Sequence, residues 1–390
     1  MNQLALRNLR IEIVATVLGG LGSGMILPFL AIMALKFGGS AMDTALIAAA
    51  PMAANLLALL WGRLTQRADR VRLLYLFHGS ARIFILLMAF TTQSSTLVLL
   101  TVLFFVMLSV AMPSYVGLMQ AIYPEANRAS YMAYVRISGG IAVVIGTYVG
   151  GHWLEERFRL AVLIAFGLGV AGMAVFSRIR EPKAARQVQE EARAGTFRES
   201  MNALKMDGAF QLLLLGIFVF EFSQLLPSSL FPIYQTEKLG LSFSQIGLLS
   251  MVMTMASLLF NQVWGDVIDR YSAVPVMLLS ALLGALYPLV YWLSSHPLAI
   301  ICGTFAAGAS GAGMDLAWIG YISRVSGRHI PSYSGIYLTM VGVRGILAPL
   351  IGAAMSKQIG MDAILAVSFS FTVLSWIPFV VLLGRRNRLP

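Results

Sequence analysis

Three ionisable side chains stand inside runs that are otherwise apolar. They are Glu221 within Phe218-Val219-Phe220-Glu221-Phe222, Arg344 within Gly342-Val343-Arg344-Gly345-Ile346, and Asp315 within Gly313-Met314-Asp315-Leu316-Ala317. A charge in hydrocarbon surroundings is costly, so each is there for a task or for a partner. A carboxylate in such a place can take up and release a proton. An arginine can hold it in an ion pair that protonation or a bound solute breaks. Arg344–Glu221 and Arg344–Asp315 are both candidate pairs, and the alternative for either is a static pair that only fixes helix packing. Gln224, Asn261, Tyr148 and Trp318 are polar or aromatic groups that could touch a solute, although many such residues are ordinary interhelical or lipid-facing ones. With few charges and 21 methionines, such a cavity suits an apolar or amphipathic solute. Arg82 and His78, one turn apart, read as packing or lipid contacts, and Glu12 as a partner of Arg7 or Arg10.

These residues need elements that cross a bilayer to carry them. Hydrophobic residues are 58% of the chain and charged residues 12%, with a mean hydropathy of +0.80. Soluble domains carry about a quarter charged residues, so this chain must face lipid. A span needs roughly 20 apolar residues. Twelve such runs fall at about 9–36, 43–63, 72–92, 96–122, 131–153, 158–178, 208–236, 243–264, 273–294, 298–323, 333–356 and 362–384. The first is too long for a signal peptide and has no small-residue cleavage site leading into a soluble domain. The long polar stretch between the sixth and seventh divides the chain into 1–178, a linker 179–207, and 208–390.

Lysine and arginine placement orients the spans. With both termini inside, cytoplasmic segments hold 20 of these residues and outside loops 5. The net charge of +11 is therefore read as attraction to anionic lipid rather than to nucleic acid. The two halves also repeat each other. Trp61-Gly62-Arg63 is echoed by Trp264-Gly265-Asp266, 203 positions on, and Ser130-Tyr131 by Ser332-Tyr333, 202 positions on. Parallel repeats of this size are a common construction of secondary transporters.

Twelve spans in six-plus-six form, a basic central linker and a Gly-x-x-x-Asp-Arg loop resemble the major facilitator superfamily over the whole chain. The second copy of that loop, Gly265-Asp266-Val267-Ile268-Asp269-Arg270, fits better than the first, Gly62-Arg63-Leu64-Thr65-Gln66-Arg67, which has Gln66 for the acid and Asp69-Arg70 just beyond. The resemblance implies an all-α membrane protein of two pseudo-symmetric six-helix bundles around a central site. It also implies a conformational latch in which Asp269 meets the start of span 5, near Ser130 and Tyr131. Asp69 would likewise meet the start of span 11, near Ser332 and Tyr333, the helix dipole favouring negative charge there. These charges could equally serve only to fix topology. Gly146-Thr147-Tyr148-Val149-Gly150-Gly151, preceded by Gly139-Gly140, is similar to the Gly-Pro-x-x-Gly-Gly stretch of antiporters, with Thr147 in the proline position.

No phosphate-loop motif, catalytic triad or zinc-ligand spacing is found. The lone Cys302 excludes a disulfide framework. Gly19-Gly20-Leu21-Gly22-Ser23-Gly24 lies within a span and reads as helix packing rather than a nucleotide cradle. No enzymatic activity, cofactor or metal is expected. The reading is a monomeric secondary transporter of the bacterial inner membrane, with protons, lipids and a small-molecule solute as partners and proton-coupled efflux as the process. A specific metabolite permease, a lipid flippase and a sensor or scaffold that has lost transport remain alternatives.

Overall fold

The computed structural model describes residues 3–64, 69–124, 127–182, 208–325 and 330–386, and every regular element among them is helical. That follows from composition, because an apolar run in lipid must satisfy its backbone hydrogen bonds within the segment. Among the described residues eleven helices are long and apolar enough to cross a membrane, and a shorter apolar stretch lies at Ala41–Leu57. The protein is an all-α integral membrane protein.

Contacts divide the chain into two compact units, Met1–Ala192 with Gly240–Met251, and Arg193–Leu239 with Val252–Pro390. The first contains α1 (Gln3–Ile26), a 3-10 turn (Leu27–Phe29), α2 (Leu30–Lys36), α3 (Ala41–Leu64), α4 (Arg70–Met88), α5 (Ser94–Ile122), α6 (Arg128–Trp153) and α7 (Phe158–Phe176). The second contains α8 (Gly208–Leu225), a helical turn (Phe231–Ile233) running into a π-helical turn (Tyr234–Lys238), most of α9 (Phe243–Arg270), α10 (Ala273–Leu293), α11 (Pro297–Val325), α12 (Ile330–Ile359), α13 (Met361–Leu374) and α14 (Trp376–Arg386). The first turns of α9 belong with the first unit: Phe243 stacks on Phe29 with ring centroids 5.9 Å apart, and the Ser244 hydroxyl donates to the Gly151 carbonyl at 3.1 Å.

Each face has a reason. On α4, Leu74, Ala81, Ile85 and Met88 are buried on one side, while Leu76, Ile83 and Leu87 are exposed on the other; both sets follow helical periodicity. In a chain that spans a membrane, the exposed stripe is the lipid face. α1 packs on both of its sides through glycine. A Cβ at Gly20 would come 2.9 Å from the Gly139 carbonyl of α6, and one at Gly22 would come 2.6 Å from the Ala165 carbonyl of α7. The glycine run is thus a two-sided packing surface.

Three expected spans are interrupted, each at a proline, which lacks the N–H that would bond the carbonyl four residues back. Pro28 sits in the 3-10 turn that ends α1. The span expected over 208–236 ends at Leu225 before Pro227. The span expected over 362–384 breaks at Ser375 into α13 and α14, three residues before Pro378.

The freed carbonyls are met from other helices. The Thr147 hydroxyl of α6 lies 3.2 Å from the Gly24 carbonyl that Pro28 leaves open and 2.9 Å from the Val143 carbonyl of its own helix, and shares its one hydrogen between them. The Ser368 hydroxyl of α13 donates to the Ser223 carbonyl at 2.6 Å, which Pro227 leaves open. In α10, where the helix continues through Pro288, the Gln224 amide donates to the Gly284 carbonyl at 3.1 Å. In apolar surroundings an unmet carbonyl is costly, so these side chains make the prolines tolerable.

Connections carry their own signals. Gly38 (φ 77°) and Gly240 (φ 62°) adopt a left-handed backbone that glycine accepts without strain; they precede α3 and α9 and lie one repeat apart. Lys238 Nζ bonds Asp362 Oδ1 at 2.7 Å, tying the segment after α8 to the start of α13. That hydrogen bond holds the Lys238 pKa above its ordinary value.

Candidate functional site

The second unit brings Glu221, Arg344 and Asp315 together. α8 packs against α12, and Glu221 forms an ion pair through Oε2 with Arg344 Nη2. The Arg344 side chain is 2% exposed and that of Glu221 21%, so the pair is open on the acid's side. Tyr337, two turns before Arg344 on α12, lies under it, with the guanidinium carbon 5.5 Å from the ring centroid. Trp318 of α11 stacks on Tyr337 with centroids 3.8 Å apart and planes at 17°. Asp315, one turn before Trp318, is exposed and close enough for its charge to interact with both Arg344 and Glu221.

One guanidinium is therefore paired with one carboxylate and within electrostatic reach of a second on another helix. A buried pair pays a large desolvation cost against its attraction, so its balance is sensitive to a proton or to a competing ligand. Neutralising Glu221 would leave Arg344 to Asp315 or to a bound anion. Arg344 Nε has no hydrogen-bond partner, which leaves a donor available.

The remaining cavity candidates have different settings. Gln224 is spent on structure: besides Gly284 it donates to the Thr372 hydroxyl at 3.0 Å, beside the bond between the Ser223 and Thr372 hydroxyls at 2.7 Å. Asn261 is exposed on α9, one turn before Trp264, whose indole N–H donates to the Ala309 carbonyl at 2.8 Å. Trp61, its counterpart in the repeat, donates to the Ser109 hydroxyl at 3.1 Å. Tyr148, in the first unit, is exposed, with its ring 4.5 Å from that of His152. Trp318 is buried.

The loop-motif residues are placed as follows. Asp69 caps its own helix, accepting from the Arg72 N–H at 3.0 Å at the start of α4. Arg70 is buried and pairs with Glu181 at 2.5 Å within the first unit. Gly62 lies near the end of α3, and Gly265, Asp269 and Arg270 lie in the last turns of α9. Asp269 and Arg270 are exposed, and a Cβ at Gly265 would meet nothing within 4 Å. Gln66, Arg67 and linker residues 183–207 lie outside the described residues, as do the side chains of Ser332 and Tyr333.

The α6 glycines sit at close approaches. An added Cβ at Gly139 would come 2.6 Å from the Thr16 side chain, and at Gly151 3.1 Å from the Phe243 carbonyl; at Gly146 and Gly150 it would overlap the backbone of Leu21 and Met25.

Sequence reasoning missed the setting of Glu12. Its carboxylate is buried and bonded by the hydroxyls of Tyr115, at 2.7 Å, and Tyr123, rather than by Arg7 or Arg10. The face Asn8, Glu12, Ala15 is buried as a helical stripe, which is the signal that could have found it. Of the two readings of Arg82, packing or lipid contact, its burial agrees with packing.

Two units of apolar helices, with an ion pair held within the spans of one of them, have the character of a membrane transporter. The family model of the Major Facilitator Superfamily matches residues 13–242 and 213–390, and the chain belongs to that superfamily. No curated protein sequence matches the chain. Among solved structures, a mutant form of the nucleoside transporter NupG has a TM-score of 0.76 at 14% identity, covering 96% of this chain and 99% of that one. A bacterial homologue of the human lysosomal transporter Spinster, inward-facing and unoccupied, has a TM-score of 0.75 at 16% identity, covering 98% of this chain and 97% of that one. At these identities the likeness establishes the fold: the twelve-span fold of superfamily transporters.

Proposed function

We propose that the protein is a secondary active transporter that exports a small amphipathic or apolar solute in exchange for protons. It works by alternating access between the halves 1–178 and 208–390, joined by the linker 179–207. The observation that carries this reading is the Glu221–Arg344 pair, a carboxylate and a guanidinium that meet inside the membrane-spanning part of the chain. A proton arriving on Glu221 removes its charge and releases Arg344; its departure restores the pair. Asp315 is the second acid that Arg344 can turn to. Trp318 forms an aromatic wall beside the pair, and Asn261 and Tyr148 offer exposed polar contacts for the solute.

In the same reading Gly62, Asp69, Arg70, Gly265, Asp269 and Arg270 form the conformational latch. Gly139, Gly146, Gly150 and Gly151 supply the close packing of α6. The excess of basic residues on one side supports cytoplasmic termini in a bacterial inner membrane, and the protein acts as a monomer.

A second reading, a permease for one flat polar metabolite, draws on the stacked Trp318 and Tyr337 rings beside the ion pair. The fold neighbour named as a nucleoside transporter belongs to the same picture.

The test is flux in liposomes holding the purified protein, assayed against a compound panel with and without an imposed pH gradient. Glu221→Gln is expected to abolish gradient-driven movement while solute exchange persists. Gradient-driven flux that is unchanged in Glu221→Gln would end the proton-coupling reading. Saturable flux of a single polar solute would favour the permease.

A further inference from the structure

We infer that the first unit holds a binding site of its own for an amphipathic anion, seated on Arg82. A cavity of about 390 Å³ lies among α1, α4, α5, α6 and α7, within the size range of small-molecule sites. Arg82 lines it, is 6% exposed, and has no hydrogen-bond partner at Nε or Nη1. Among the described residues no carboxylate offsets its charge. Both oxygens of Glu12, the acid bonded to a wall residue, are taken by tyrosine hydroxyls.

The surroundings position the guanidinium without using its Nε and Nη1 donors. Phe104 lies against it, with the ring centroid 5.7 Å from Cζ. Gly169 makes room for its stem, since a Cβ there would come 2.8 Å from Cδ. His78, one turn earlier, lines the same cavity and has a buried Nε2 without a hydrogen-bond partner.

A buried cation without a counter-ion is expensive, and a planar fork of free N–H groups matches a carboxylate or phosphate. Thr16 and Ser23 add hydroxyls to the wall, whereas Met112, Val143 and Phe176 make the rest apolar. The occupant is thus a carboxylate or phosphate head on a short apolar body, either a free solute or the head of a lipid.

The experiment is equilibrium binding of labelled hexanoate to the full-length protein, purified and delipidated in an uncharged detergent. Hexanamide serves as the neutral competitor. A parallel arm measures retention of phosphatidylglycerol in nanodiscs of otherwise neutral lipid by native mass spectrometry. Saturable one-to-one hexanoate binding that hexanamide does not displace supports the free-solute form. Retained phosphatidylglycerol without hexanoate binding supports the lipid form.

In either arm Arg82→Gln is expected to weaken binding roughly tenfold or more, as loss of one partner of a buried charged contact does. Ser23→Leu, which fills the cavity without touching a charge, is expected to do the same. Glu221→Gln is expected to leave it unchanged, so this site and the proton-coupling reading can fail separately. No binding in either arm, full competition by hexanamide, unchanged binding in folded Arg82→Gln and Ser23→Leu, or loss of binding in folded Glu221→Gln would overturn the proposal.

Discussion

The hydroxyl of Thr147 shares its hydrogen between the carbonyl of Gly24, 3.2 Å away across 123 residues of chain, and that of Val143 in its own helix at 2.9 Å. Gly24 lies four residues before Pro28, the residue that cannot supply the bond itself. The threonine is thus a partner of the carbonyl that a proline in another helix leaves open. Thr147→Val should lower stability by about 1–3 kcal/mol, the cost of leaving a buried acceptor unmet, whereas Thr147→Ser should retain most of it. Thermal unfolding of the purified protein measures both, and a valine variant as stable as the parent would refute the role.

Gln224 repeats the pattern at Gly284 and Pro288. Gln224→Leu is expected to destabilise the second unit by a similar amount while leaving the apparent KM for solute unchanged. A shifted KM at undiminished stability would instead put the amide in contact with solute.

The Glu221–Arg344 pair makes a prediction that separates stability from transport. Glu221→Gln leaves a guanidinium that is 2% exposed without its partner, a loss of about 3–5 kcal/mol for a buried pair, reduced here by the partial exposure of the acid. The double variant Glu221→Gln/Arg344→Gln should recover much of that stability without recovering the response to a pH gradient. A double-mutant cycle on unfolding and on flux reads the two effects apart.

The two kinds of glycine should respond oppositely. Gly22→Ala would drive a Cβ to 2.6 Å from the Ala165 carbonyl, and forced packing of this kind costs about 1–3 kcal/mol. Gly265→Ala meets nothing and exchanges a poor helix former for a good one, so stability should hold or rise by up to about 1 kcal/mol. If flux falls in Gly265→Ala all the same, the latch motif acts on conformation rather than on folding.

Much of this was legible in the residues. A charge in an apolar run stands out unaided, so Glu221, Arg344 and Asp315 could be singled out. Which acid meets Arg344 depends on the rotation of α8 and α11, which periodicity does not resolve. The partners of Gln224 and Thr147 are backbone carbonyls freed by distant prolines, and no pattern of side-chain types announces a vacant acceptor. Glu12 was misread because its arginine neighbours in sequence point elsewhere, and its tyrosine partners come from α5 and its C-terminal cap. The spans themselves were easy to see and their ends were not, since Pro378 lies inside the apolar run Trp376-Ile377-Pro378-Phe379-Val380 and apolar residues resume within three positions of Pro227.

The glycine seams of α1 have a mechanical corollary. Where main chain rests on main chain, no rotamer can change to absorb a shift, so α1 cannot slide or roll against α6 and α7 without steric collision. Those three helices must travel as a single plank. Any bending within the first unit during a working cycle has to be taken up at seams lined by deformable side chains instead.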